Sequence, residues 1–385
     1  MRRVGLQTDE AQIGKVKPPA SVAKPAGGHY ALLDGLRGLA ACAVMGMHCG
    51  YWLSPQGLFG HAYLAVDFFF LLSGFVISHS YQDRLESRKL SLIQFVRVRL
   101  VRLYPLIALG AVTAGSYFMA RWFSGRQTPA LETIVDAVWR GATLTPTLTP
   151  SPIGDQAYPL NGPLWSLFYE LSINLIYGLL YRWMRARALI VVVLASAMVL
   201  IYAVVGHGHL DLGVSTETFW WGAARVSFGF FGGVLVHQLS IKGLVGPRLH
   251  PLTIVLVLIV VFLAPRAWPL RWAWDLGAIL FIFPLVLLAS LRTPVSGGVR
   301  SLCRLSGDLS YPIYVLQQPI LWWLGGVYRV YEEHLPAPIA GLAAMTIVCV
   351  IAWLALKLYD EPVRRLLSPS RGPAAPRAAL QGKLS

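Results

Sequence analysis

The chain has 385 residues, of which 56% are hydrophobic and only 13% charged. A soluble protein of this size carries about twice that share of charge, so a soluble globular fold is excluded and an all-α, polytopic transmembrane helical bundle is expected. The formal charge of +15 is spread between apolar runs rather than along one soluble face, which argues against nucleic acid as a partner.

Residues 1–29 are polar, basic and contain Pro and Gly without an early apolar run. They read as a disordered cytoplasmic tail, not a cleaved signal peptide. Ten apolar spans follow, over 31–53, 62–81, 103–123, 164–181, 188–206, 218–238, 252–268, 273–291, 308–328 and 338–359. This gives a membrane domain over 30–360 and a cytoplasmic tail over 361–385. With the N-terminus inside, 25 Lys and Arg fall on the inner side and six outside, with Arg37 and Arg225 inside spans. That bias predicts both termini in the cytoplasm. The longest loop, 124–163, then lies outside, and its apolar stretch Thr133–Leu144 is expected on the membrane surface. The four cysteines form no CxxC pair and read as packing residues; no metal site is expected.

The first span, YALLDGLRGLAACAVMGMHCGYWL, carries Asp34, Arg37 and His48. Charge in hydrocarbon is costly and marks a functional site by default. Eleven residues separate Arg37 from His48, which puts both on one helix face about 16 Å apart. Asp34 is placed i,i+3 to pair with Arg37. In the second span, Asp67 falls near the outer end, at the expected depth of His48. A carboxylate there would fix the tautomer of a histidine acting as general base. Ser73 and Gly74 read as residues that let helices approach closely.

Arg97, Arg99 and Arg102 precede the third span and are expected at the cytoplasmic surface, where Arg99 and Arg102 can grip one polyanion. The fourth span holds Ser166, Glu170 and Asn174 at i, i+4 and i+8, a polar stripe facing a cavity or polar partner. Glu170 and Arg225 both fall in the outer half. Two arrangements are open there: an ion pair between them, or a shared acceptor pocket. The ninth span has Ser310, Tyr311, Tyr314, Gln317 and Gln318, and its Pro312 and Pro319 should kink or break the helix. Glu361 is expected as a surface ion pair with Arg364 and Arg365. His207, His209 and Asp211 make at most a weak metal motif. The other histidines, His61 among them, fall at span ends or in loops and are expected at interfaces.

Together these segments resemble the acyltransferase-3 family of integral membrane carbohydrate O-acyltransferases. LDGLRGLAA followed by His48 resembles its first-helix motif, a basic residue, ten residues, then histidine. AVDFFFLLSGFVIS resembles its second-helix signature through Phe69, Phe70, Ser73 and Gly74. RLVR matches its Arg-x-x-Arg element at Arg99 and Arg102. PLWSLFYE, with Trp165, Ser166 and Glu170, and DEPVRR, with Glu361 and Pro362, match further segments. The resemblance implies acetyl-CoA or another acyl-CoA as donor and a carbohydrate or lipid-linked glycan as acceptor. It also implies polysaccharide-biosynthesis partners and a bacterial inner membrane. The resemblance and the depth of Asp67 beside His48 together make His48, Asp67 and Glu170 the expected catalytic residues, with Arg37, Arg99 and Arg102 holding the donor. Trp165, Ser166, Asn174, Arg225, Tyr314 and Gln317 shape the acceptor pocket, and Asp34, Ser73, Gly74 and Glu361 are structural. Many members carry histidine in the ninth span where this sequence has Gln317. An SGNH-type domain fused to some members is absent from this sequence, so direct delivery to the acceptor is expected. The rival readings are a transporter or flippase of a lipid-linked sugar, and a non-catalytic scaffold.

Overall fold

The computed structural model describes residues 30–53, 57–126, 129–332 and 334–368. The expected tail over 1–29 lies outside those residues, as does the part of the expected 361–385 tail beyond residue 368. The described chain is helical, with only isolated bridges at Ser151–Gly154 and Gln156–Ser215. Helix α1 is Ala31–His48 and α2 Gly50–Leu53; α3, Ala65–Glu86, is preceded by a 3-10 turn. Then come α4 (Leu92–Phe123), α5 (Leu131–Thr143), α6 (Leu164–Leu180), α7 (Ala186–His207), α8 (Trp221–Ser240) and α9 (Pro251–Leu263). A π-helical turn joins α10 (Arg271–Gly277) to α11 (Phe283–Ser290). The chain continues as α12 (Gly297–Tyr331), α13 (Ala337–Ala355), a second π turn and α14 (Glu361–Leu367).

Each of the ten expected spans overlaps a helix. Ala62–Glu86, Ala186–His207, Arg271–Ser290 and Ala337–Leu367 are long and apolar enough to cross a membrane. Their outward faces agree with that: Val191, Leu194, Met198 and Val205 of α7 are all exposed, an arrangement water would penalise and lipid does not. This is a multi-pass membrane protein. The other helices are shorter or less apolar, partly because they carry the polar residues of the interior, as α1 and α12 do.

Two pairs of helices frame the interior. In the first, α1 runs along α12 so closely that a Cβ on Gly38 would lie 1.8 Å from Ser306 Oγ. In the second, α3 packs on α8, where a Cβ on Gly74 would lie 1.9 Å from the Phe230 carbonyl oxygen. Glycine is required where backbones meet this closely. Outside the pairs, α5 lays Ile134, Ala137 and Gly141 against α4 and exposes Val135 and Trp139.

Two expectations are corrected. The third helix begins at Leu92 rather than 103, because Ser91 and Gln94 form a capping box: Gln94 N donates to Ser91 Oγ at 3.2 Å and Ser91 N to Gln94 Oε1 at 3.0 Å. Arg99 and Arg102 therefore sit about two to three turns inside a helix about 48 Å long. Of the kink or break expected at the ninth span's prolines, the break does not occur: α12 is continuous through Pro312 and Pro319. Pro319 cannot donate to the Val315 carbonyl four residues back, and the Asn161 side chain donates to that oxygen instead, at 3.0 Å. Elsewhere the chain widens before a proline: π turns over Ala278–Ile282 and Leu356–Asp360 precede Pro284 and Pro362.

Candidate active site

A cavity of about 180 Å³ lies between α1, α3, α4, α6 and α12. Val66, Phe69, Phe70, Leu72 and Leu167 form its apolar wall, and Arg37, Ser73, Arg99, Arg102 and Glu170 its polar wall. Arg99 is 6% exposed and donates from Nη2 to Glu170 Oε1 at 2.8 Å. Ser73 Oγ donates to the same oxygen at 3.1 Å. Arg37 is fixed by α1 and α12 together: Nε donates to Ser310 Oγ at 2.9 Å, and Nη2 to Asp34 Oδ1 at 3.2 Å and to the Gly307 carbonyl at 3.0 Å. The expected Asp34–Arg37 pair is present. Arg102 lines the cavity, and among the described residues it makes no hydrogen bond or ion pair. Three guanidinium groups thus face one small space: Glu170 answers Arg99, Asp34 answers Arg37, and Arg102 has no carboxylate partner among the described residues. Such a site attracts an anion.

Glu170 does not join Arg225 in an outer ion pair. It belongs to the Arg37, Arg99 and Arg102 cluster, because the longer α4 carries Arg99 beside it. Asp67 is likewise not the partner of His48. Its two oxygens accept from Arg225 Nη2 at 2.6 Å and Nε at 3.0 Å, and Arg225, 1% exposed, also donates to the Leu212 and Tyr63 carbonyls. Trp165 covers the same guanidinium, 5.0 Å from its ring centroid. A buried arginine needs this full set of acceptors, and Asp67 is the charge that balances it. Neither Trp165 nor Arg225 lines the cavity.

The polar stripe on α6 divides. Ser166 and Glu170 line the cavity, and Ser166 Oγ meets Tyr314 OH at 2.7 Å. Asn174 lies outside it, buried, with neither amide atom hydrogen-bonded among the described residues. Eight residues rotate a helix position about 80° away from the first, enough to carry Asn174 past the opening. His48 is exposed at the end of α1 and outside the cavity lining. The Gln317 amide lies against its ring. Gln317 Nε2 donates to the Tyr314 carbonyl at 3.2 Å, and its buried Oε1 makes no hydrogen bond among the described residues. A line of polar side chains thus runs along α12 from Ser310, bonded to Arg37, past Tyr314 to Gln317 beside His48.

Glu361 pairs with Lys357 and Arg365, whereas Arg364 pairs with Asp360 at 2.9 Å. The expected Glu361–Arg364 contact gives way to i,i+4 partners on the helix surface. Asp211 is taken by Arg266 and Arg271. Among the described residues, no group of three His, Cys, Asp or Glu is placed to hold a metal.

Residues 30–356 match the acyltransferase domain family of acyltransferase-3 type. The chain belongs to the acyltransferase-3 family. Over 188 residues, 45% of this acyltransferase, it is 35% identical to a Rhizobium radiobacter protein described as "Protein 2 in picA locus", of which it covers 94%. No solved structure matches the acyltransferase.

One buried polar cluster escaped the sequence reading. Asp275 is fully buried, accepts from Tyr63 OH at 2.7 and 2.8 Å and from Leu210 N at 2.8 Å, and lies 3.7 Å from His61 Nε2. Arg271 Nε donates to the same Tyr63 hydroxyl. His61, expected at an interface, is buried, with Nδ1 2.8 Å from the Ala264 carbonyl. The charge of Asp275 within an apolar span was the available signal.

Proposed function

We propose that this acyltransferase moves an acetyl or similar short acyl group from cytoplasmic acyl-CoA to a hydroxyl of a surface or exported carbohydrate, free or lipid-linked. The observation that carries the reading is Arg102, without a partner among the described residues, beside the Arg99–Glu170–Ser73 network in a cavity inside a membrane protein. CoA is a polyanion, and arginine binds phosphate oxygens in pairs. Arg102 and Arg37 take the donor, and Glu170 holds Arg99 in place at the cavity wall. His48 is the general base, with its ring oriented by Gln317. It removes the proton of the sugar hydroxyl as the oxygen bonds to the acyl carbon. The carbon–sulfur bond breaks, and the proton passes to the departing thiolate. Tyr314 and Ser166 border the route between the two ends, while Asp67, Arg225 and Trp165 brace the outer side of it. Ten spans, both termini in the cytoplasm and a bacterial inner-membrane location complete the reading, with lipid around the bundle and polysaccharide-biosynthesis proteins as partners.

Purified protein supplied with radiolabelled acetyl-CoA and candidate glycans should transfer the label to the glycan. Movement of a lipid-linked sugar with no consumption of acetyl-CoA would identify a transporter instead.

A further inference from the structure

Next to the small cavity lies a larger one of about 500 Å³, lined from α1, α3, α4 and α12. The two share Arg37, Leu72, Val76, Ser80 and Arg102, so Arg37 and Arg102 stand at their junction. The larger volume falls within the range of small-molecule sites, roughly 300–1,000 Å³, and the smaller one falls below it. Their walls also differ in chemistry. In the larger cavity Tyr30 meets Phe75 and His79 edge-on, with ring centroids 5.6 and 5.5 Å apart. Phe75 and His79 are stacked, 6.0 Å apart and 9° from parallel. Phe75 is buried and braces the group, while Tyr30 and His79 are only half-buried and border the space. Arg304 and Arg102 bring two cations that make no ion pair or hydrogen bond among the described residues. Asp308 lies one turn from Arg304 on α12, yet no ion pair joins them. Asp34 is engaged with Arg37.

Aromatic surface, two available guanidinium groups and a separate carboxylate suit a ligand with a flat base, phosphates and hydrogen-bond donors. We propose that the larger cavity is an adenine-nucleotide subsite, in which the purine packs on Tyr30 and His79 and the phosphates are held by Arg304 and Arg102. Asp308 accepts from the exocyclic amine or the ribose hydroxyls. The arm of the donor then passes Arg37 into the smaller cavity, which has room for the thioester end but not for the nucleotide. This assignment rests on the reading of acyl-CoA as donor and adds where each part of it binds. An anionic phospholipid headgroup would share the phosphates with this ligand but not the purine.

The test uses the full chain in lipid nanodiscs, with adenosine 3′,5′-bisphosphate alone as the probe. The bisphosphate should bind, compete with acetyl-CoA and outbind inorganic pyrophosphate by tenfold or more. Arg304→Ala and His79→Ala should each weaken its binding at least tenfold. A second reading needs no comparison of protein yields. The ratio of KM for acetyl-pantetheine, which lacks the nucleotide, to KM for acetyl-CoA should fall at least tenfold in Arg304→Ala. Bisphosphate binding no tighter than that of pyrophosphate would overturn the purine subsite and assign the cavity to a phosphate-bearing headgroup. Unchanged bisphosphate affinity in both variants would overturn it as well. Acetyl transfer that persists while the nucleotide fails to bind removes the subsite alone; nucleotide binding without acetyl transfer removes the reaction reading alone.

Discussion

Arg99 and Glu170, 71 residues apart in sequence, are joined by a 2.8 Å bond between α4 and α6 at the wall of the small cavity. The bond also fixes Ser73, which donates to the same carboxylate oxygen from α3. Three helices therefore meet on one oxygen, and the charge they hold faces a ligand space rather than lipid.

That geometry predicts strong coupling. Removing either partner leaves a largely buried charge uncompensated, at a cost of about 3–5 kcal/mol. The double variant Arg99→Ala/Glu170→Ala should be less destabilised than the sum of the two single changes, with an interaction energy of about 1–3 kcal/mol. Thermal unfolding of the four proteins in one detergent measures it. Simple additivity would mean that the bond carries no net energy.

Asp67 and Arg225 predict a different phenotype. Asp67→Asn strips the balancing charge from a fully buried guanidinium, so the loss should appear as folded protein, again about 3–5 kcal/mol. Size-exclusion profiles and Tm report it. Full stability with lost turnover would place Asp67 in the chemistry rather than the frame.

His48→Ala should reduce acetyl transfer by about 10²–10⁴-fold, the usual contribution of a general base, with inserted protein at normal abundance. Gln317→Met, which keeps the volume of this fully buried side chain and removes its amide, should lower kcat while costing less than about 1.5 kcal/mol of stability. Labelled product formation checks both. Normal transfer by His48→Ala would remove His48 from the mechanism.

The proline repair in α12 is separately testable. Asn161→Leu leaves the Val315 carbonyl without a donor and should cost about 1–3 kcal/mol. In a Pro319→Ala background residue 319 regains its N–H, so the same change should cost less. Unfolding midpoints of the four combinations decide this.

Much of this arrangement could be read from the chain. Helix positions followed from apolar runs, because a bilayer demands long apolar segments whatever they pack against. Asp34 and Arg37 were legible as a pair because three residues along a helix fix their separation. The extension of α4 to Leu92 was also written in the sequence, as Ser91 and Gln94 at capping-box spacing, although hydropathy alone misses a helix end that carries arginines.

Partner choice between distant helices was not legible. Asp67 took Arg225 instead of His48, and Glu170 took Arg99 instead of Arg225, since the closest buried opposite charge wins and closeness depends on helix crossing and rotation. Glycines at 38 and 74 announce close packing without naming the neighbour. By itself the sequence determined a helical membrane protein with the residues of an acyltransferase, because burial and spacing along one chain are local properties. The tertiary structure alone decided which charges neutralise one another and which, like Arg102, remain available to a ligand, because electrostatic pairing acts through space.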